Sequence, residues 1–247
     1  SADAAGLLTG LLGDAEPGVR RAAAFAAGLG GNRTLVPALV RSLADPDAPT
    51  ADAAACALGR IGGPEAEAAL RSVLAGPSGP RASAATGLAR SREPGVGALL
   101  AAAALSTDPA VRRAAAWALA RNPQPGAGPA LQALLADRDP EVAAWAARGL
   151  GLLADVGATG PLRALAQGSA RGPAIQALLA LERIAAKGAP VAELARLGLS
   201  RRHDPQPGVA IAALTLLRRA GSGAGVADAL AEIASTGGRR GGVALAS

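Results

Sequence analysis

Asp108-Pro109-Ala110-Val111-Arg112-Arg113-Ala114-Ala115-Ala116-Trp117-Ala118-Leu119 decides the fold of this 247-residue chain, because it recurs. Val19-Arg20-Arg21-Ala22-Ala23-Ala24-Phe25-Ala26-Ala27-Gly28 is a second copy of its core. Further copies start at Thr50, Pro80, Val142 and Pro173, and a last one at Val209. The spacings between starts are 31, 30, 31, 31, 31 and 36 residues. A period in this range marks a stack of supersecondary units.

The columns of this internal alignment carry the physics. Four residues after each start stands Ala23, Ala54, Ala84, Ala115, Ala146, Ala177 and Ala213. Eight residues after it stands Ala27, Leu58, Leu88, Leu119, Leu150, Leu181 and Leu217. Offsets of 0, 4, 7 and 8 share one helical face, so each copy is an amphipathic helix with a buried stripe. A column that is Ala in every copy marks close approach between helix backbones.

Turn chemistry precedes these helices: Asp14-Ala15-Glu16-Pro17, Asp45-Pro46-Asp47, Asp108-Pro109, Asp137-Arg138-Asp139-Pro140 and Asp204-Pro205. Asp can cap an orphan helix N–H, and Pro fits a first turn without losing a bond. Gly or Pro then breaks the chain, and second helices are expected near 36–43, 65–74, 129–135 and 226–233. Each unit is a helical hairpin that hides its apolar face only by stacking on its neighbours. Residues 3–13 read as a second helix without its first, and 240–247 as the opening of another repeat, so both ends look cut.

This pattern of Asp-Pro, Val-Arg, paired Ala and Leu, a short break and a second helix resembles the HEAT repeats of the short bacterial type, also called PBS-lyase HEAT-like repeats. The match is closest at 108–119, and the copies at Thr50, Pro80 and Pro173 depart from it at the Val-Arg pair. The resemblance implies an all-α, right-handed α-solenoid of about seven helical-hairpin repeats of about 31 residues, with partial repeats at both ends. Repeats are expected to start near 14, 45, 76, 107, 137, 169 and 204 within a region 1–236. Residues 237–247 form a tail or the start of a truncated repeat. The five extra residues before Val209 are expected to make a protruding loop or a kink near Arg201-Arg202-His203-Asp204.

Composition agrees with helices. Half the residues are hydrophobic, yet the chain has one Phe, two Trp, no Tyr and no Met. Ala and Leu are strong helix formers, and strand-favouring residues are few. The net charge is +6, carried almost wholly by Arg, with Lys187 the only lysine. Spread over a long surface, that is a modest field. One cysteine excludes an internal disulfide framework or a zinc site built on cysteine pairs. No apolar run reaches the roughly 18 residues of a transmembrane segment, so the visible chain reads as soluble. Richness in Ala, Gly, Arg and Pro points to a GC-rich bacterial gene, but neither cytoplasm nor cell envelope is selected.

Little in the sequence argues for catalysis, and no cofactor or metal is expected. His203 is the only histidine, and it reads as an exposed loop residue, since metal and acid–base sites need further ligands in register. Cys56 reads as a buried or half-buried inert thiol, with no His or Lys near it in sequence. Trp145 reads as packing between repeats. Trp117 stands in the same column as Cys56, off the buried face, and is a candidate contact residue because Trp is enriched at interface hot spots. Arg60, Arg90, Arg121, Arg183 and Arg219 recur near the ends of the first helices, where the macrodipole favours a cation. Stacked, they form a row suited to an acidic protein, a phosphate backbone or a lipid surface. The glycine-rich stretch 221–225 lacks the Lys-Ser/Thr ending of a phosphate loop.

Three functions follow. The first is a non-catalytic scaffold whose partner is a protein or protein complex. The second is electrostatic nucleic-acid binding, which the residues favour less. It resembles the DNA glycosylases of this fold, yet the second helices hold only scattered Arg41, Arg71, Arg163 and Arg196 and no aromatic residue. The third is the accessory repeat region of a larger bacterial enzyme, for example one with a prolyl isomerase domain.

Overall fold

Five of the seven repeats open on a turn held by a local side-chain hydrogen bond, whereas the helices that begin at Arg81 and Arg171 have no side-chain cap. The first acidic side chain of the turn accepts from the backbone two residues on: Glu16 N–H donates to Asp14 at 2.8 Å, Asp47 to Asp45 at 2.9 Å, Asp139 to Asp137 at 2.8 Å and Gln206 to Asp204 at 2.9 Å. These Asx turns bend the chain. Capping falls to a later position. Asp47 accepts from Thr50 N–H, Asp108 from Ala110 and Asp139 from Glu141, satisfying donors that the helix leaves orphaned. Where a turn holds two Asp residues, one therefore bends and the other caps.

The structure, a computed structural model, describes residues 2–220 except Pro125 and Ala189. The expected helix at 226–233, the turn at 221–225 and the tail at 237–247 lie outside the described residues. The chain divides into two compact units, Ser1–Leu134 and Leu135–Ser247.

The first unit holds α1 (Ala2–Leu11), α2 (Pro17–Gly30), α3 (Val36–Ser42), α4 (Ala48–Ile61), α5 (Pro64–Ala75), α6 (Arg81–Gly87), α7 (Val96–Ala103), α8 (Pro109–Arg121) and α9 (Gly128–Leu134). First helices α2, α4, α6 and α8 pack each on the next. Second helices α1, α3, α5 and α7 pack behind them, each against the first helix that follows. The second unit holds α10 (Pro140–Leu153), α11 (Thr159–Gln167), α12 (Arg171–Ala185), α13 (Val191–Arg201) and α14 (Pro207–Ala220). There α10, α12 and α14 stack as first helices, with α11 and α13 as second helices. All regular structure among the described residues is helical. None of these helices is long and apolar enough to cross a membrane.

The repeat columns are the core. The seven alanines of the invariant column, Ala23 to Ala213, are each at most 3 % exposed. In the next column Leu58, Leu119, Leu150 and Leu181 are fully buried. Burying one such Leu contributes about 1.5–3 kcal/mol; the alanines contribute less each and act through proximity. The tightest crossings fall where a first helix meets the next at glycine. A Cβ on Gly28 would lie 2.8 Å from Ala57 Cα, one on Gly59 2.4 Å from Gly87 Cα, and one on Gly151 2.6 Å from Ala180 Cα. Each time the residue nine positions after one start meets the residue seven positions after the next, so the same crossing recurs along the stack. Gly31 (φ 64°) and Gly62 (φ 66°) end α2 and α4 in backbone conformations that a side chain would strain.

The long 36-residue interval makes no protruding loop at Arg201–Asp204, which corrects the sequence expectation. The extra residues are spread out. α12 has 15 residues against 14 in α10, and α13 has 11 against 9 in α11. The turn 202–206 then matches the length of turns 43–47 and 104–108, whereas the turn 168–170 is the short one. Lengthening the helices keeps the added backbone hydrogen-bonded, which a loop would not. The helix expected from Pro80 onward is also shorter than its siblings: α6 stops at Gly87 and continues as one 3-10 turn, Leu88–Arg90.

Candidate functional site

The Val-Arg pair, present in the copies that start at Val19 and Val111, is structural. Arg20 Nη1 donates to the carbonyls of Asp14 (2.9 Å) and Ala15 (3.0 Å), six and five residues back in its own turn. Its Nε and Nη2 make a bidentate pair with Asp45 of the next turn at 2.7 and 2.8 Å. Bidentate geometry makes such a pair stronger than a single ionic contact. The Arg20 guanidinium holds the Asp45 carboxyl below its ordinary range, and Asp45 raises Arg20 in turn. Arg112 repeats the clamp from the equivalent position, donating to the Ser106 and Thr107 carbonyls at 3.1 and 3.2 Å while nearly buried. Periodicity alone gives Arg20 and Arg112 a place in the motif but no role. The signal for the clamp is an Arg at a fixed distance after an Asp turn.

The arginines at the ends of the first helices stand differently. Arg60, Arg90 and Arg121, on α4, beside α6 and on α8, are all exposed. The Arg60 guanidinium carbon lies 5.4 Å from the Phe25 ring centre, and that of Arg121 lies 5.5 Å from the Trp117 ring centre. Arg90 reaches the Gly59 carbonyl at 3.5 Å. Among the described residues, no carboxylate forms an ion pair with these three. Trp117 is half-buried beneath Arg121. Phe25 and Leu29, the equivalent stripe on α2, are 55 % and 65 % exposed. This face of the first unit thus shows two exposed apolar side chains followed by three guanidiniums free of carboxylates.

In the second unit one of the two corresponding residues is engaged. Arg183 is exposed, but Arg219 pairs with Glu182 at 3.1 Å. Trp145 is half-buried near Arg148, 6.0 Å from its ring centre, and lines a recess of about 190 Å³ with Ala144, Ile175 and Gln176. It packs between α10 and α12 but leaves one side open.

Cys56 is exposed, contrary to the buried or half-buried thiol expected from sequence. Its column looks away from the stripe buried between helices. It lines a recess of about 180 Å³ with Phe25, Gly28, Ala53, Ala57 and Arg60. His203 is exposed in the turn 202–206. Among the described residues no group of three or more His, Cys, Asp or Glu side chains is placed to hold a metal.

Arg163 forms an ion pair with Glu193, and Arg196 is also engaged. A hollow of about 690 Å³ runs along the turn edge of the first unit and contains Asp45, Asp52, Arg81 and Asp108. Its acids are already used: Asp45 by Arg20, Asp52 by Ser83 at 2.6 Å, and Asp108 by the Ala110 N–H.

The family model for HEAT repeats matches residues 4–89 and 76–151. No curated protein matches the sequence. Among solved structures, an engineered protein superposes with a TM-score of 0.63 at 23 % identity, covering 94 % of this chain and 71 % of that one. The E. coli protein YibA gives 0.60 at 19 % identity, covering 86 % and 91 %. A designed armadillo repeat protein in complex with the peptide (KR)4 gives 0.59 at 20 % identity, covering 74 % and 98 %. At these identities the likeness is one of fold: helical repeats stacked into a solenoid.

Proposed function

Because this chain belongs to the HEAT-repeat family, we propose that it is a non-catalytic interaction scaffold that holds a protein partner on the surface of its repeats. One observation carries the reading: Leu29, Arg60, Arg90 and Arg121 are exposed at equivalent positions of successive repeats with Phe25 exposed beside Leu29, and the three guanidiniums have no carboxylate partner among the described residues. A repeat fold needs none of these side chains for stacking, since its core is the Ala and Leu columns. The designed armadillo protein that holds a peptide supports the reading by showing what a stacked helical array can do. Catalysis has less to build on, because the acids of the 690 Å³ hollow are engaged by Arg20, Ser83 and a helix N–H, and the one histidine is exposed.

The test is affinity capture by the purified, immobilised chain from nuclease-treated lysate of its source, washed at about 50 and then about 300 mM salt. A discrete protein retained through the second wash is the expected result. Recovery of nucleic acid alone from an untreated lysate, lost at the higher salt, would replace the scaffold with an electrostatic nucleic-acid binder.

A further inference from the structure

We infer that the exposed face of the first-helix row in the first unit takes an extended acidic segment with one apolar side chain at its end. The inference rests on the scaffold reading and names the chemistry of its partner. Arg60, Arg90 and Arg121 come one from each of three consecutive repeats, at equivalent positions. Packed helices lie about 8–10 Å apart, so the three charges form a row with that step. A chain in the polyproline II conformation has three residues per turn and rises about 3.1 Å per residue. Its every third side chain therefore returns to the same side after roughly 9 Å. Acidic residues at such spacing meet the three arginines in register. A helical segment returns to one face near this step only after seven residues, about 10.5 Å, and needs twice the length to offer the same three carboxylates. A nucleic-acid strand presents a charge about every 3.4 Å along the duplex axis, far denser than one cation per repeat.

The end of the row fixes the other half of the segment. In the first repeat Leu29 stands where the next three repeats carry Arg, and it is 65 % exposed. Phe25 beside it is 55 % exposed. Between α2 and α4 lies the recess of about 180 Å³, with Gly28 and Ala57 as its floor and Phe25, Cys56 and Arg60 as its rim. The floor is low because the helices cross there at glycine: a Cβ on Gly28 would meet Ala57 Cα at 2.8 Å. An aliphatic side chain entering the recess covers Phe25 and removes apolar surface from water. The ring of Phe25 also holds the Arg60 guanidinium in place, as Trp117 holds that of Arg121, so both end arginines are partly ordered before binding. The recognised pattern is an apolar residue followed, in either chain direction, by acids three, six and nine positions away.

The probe is a fluorescein-labelled peptide with one Leu and then Glu at every third position, Pro and Ser between, together with its reversed sequence. Anisotropy titrations use the full chain at about 50 mM salt. One of the two peptides binds saturably, and the same peptide with Lys for Glu does not. Arg60→Ala, Arg90→Ala and Arg121→Ala each weaken binding about two- to fivefold, the range of exposed ion pairs. The triple variant Arg60→Glu, Arg90→Glu, Arg121→Glu, verified as helical by circular dichroism, loses the Glu peptide and gains the Lys peptide. Phe25→Ser weakens the Leu-bearing peptide more than a Leu-to-Ser peptide. Absence of binding by either Glu peptide, equal binding of the Lys peptide, or an unaltered triple variant would overturn the inference. So would displacement of the Glu peptide by a single-stranded oligonucleotide at lower concentration. A protein captured equally by wild type and triple variant would overturn this inference and leave the scaffold reading standing, whereas capture of nothing by wild type removes the scaffold reading itself.

Discussion

Gly59→Ala exposes the packing logic of the stack. Helix propensity alone favours Ala over Gly by about 1 kcal/mol in a helix interior. The new Cβ, however, would sit 2.4 Å from Gly87 Cα, where carbon atoms in contact normally rest about 3.5–4.0 Å apart. Both atoms are fixed to backbone, so no rotamer change relieves the clash. α4 and α6 must part by roughly 1 Å, and attraction in such a gap falls by a quarter to a half. The flanking Leu58 and Leu88, 0 % and 1 % exposed, lose contacts in the process. Overpacking of this kind costs about 1–3 kcal/mol, and a backbone clash belongs at the upper end. After the propensity gain, a net loss of about 1–2 kcal/mol remains. For a chain of this size that lowers Tm by about 2–8 °C. The assay is urea and thermal unfolding followed by far-UV circular dichroism, with Gly30→Ala as control. Gly30 lies at the end of α2, where an added methyl group would meet nothing within 4 Å, so the control is neutral or gains at most about 1 kcal/mol. A Gly59→Ala protein as stable as wild type would refute the reasoning, because the crossing would then have room for a methyl group.

Other outcomes follow from the same structure. Arg20 depresses the Asp45 carboxyl below its ordinary range; the ionised pair therefore stabilises the fold fully above the unfolded Asp value and ceases to do so as pH falls through the lowered one. Asp45→Asn should flatten the acid limb of stability against pH, and urea midpoints at neutral and acid pH check it; an unchanged slope would contradict the pairing. Leu119→Ala, at a fully buried position of α8, should cost about 2–5 kcal/mol in urea unfolding, and a loss near zero would mean that the column is not core. Cys56 is exposed, so the folded chain should react with a thiol reagent as fast as the urea-unfolded chain; strong protection in the fold would contradict its placement.

Most of the fold is legible in the sequence because it rests on repetition. Seven copies of one helix average out local accidents, and Ala23 through Ala213 with the Leu column name the buried stripe directly. Three features are not legible. The clamp of Arg20 onto Asp14, Ala15 and Asp45 depends on where a long side chain folds back, and periodicity carries no information on that. Sequence neighbours suggest a covered Cys56, but its shielding depends on the size of residues in other repeats and on its own helix, here Phe25, Gly28 and Ala57. The long interval before Val209 suggests a loop, whereas helix lengthening absorbs part of it without loss of hydrogen bonds. For the candidate surface, recurrence alone picks out Arg60, Arg90, Arg121, Arg183 and Arg219. Only the structure separates Arg219, paired with Glu182, from the other four, which have no carboxylate partner among the described residues.

The scaffold reading is tested most directly by mixing the purified chain with its captured partner, following calorimetric titration and then the intact mass of both components. Saturable binding at a fixed stoichiometry with both masses unchanged is the predicted result. No heat of binding between the purified components, or a partner whose mass has changed, would contradict it.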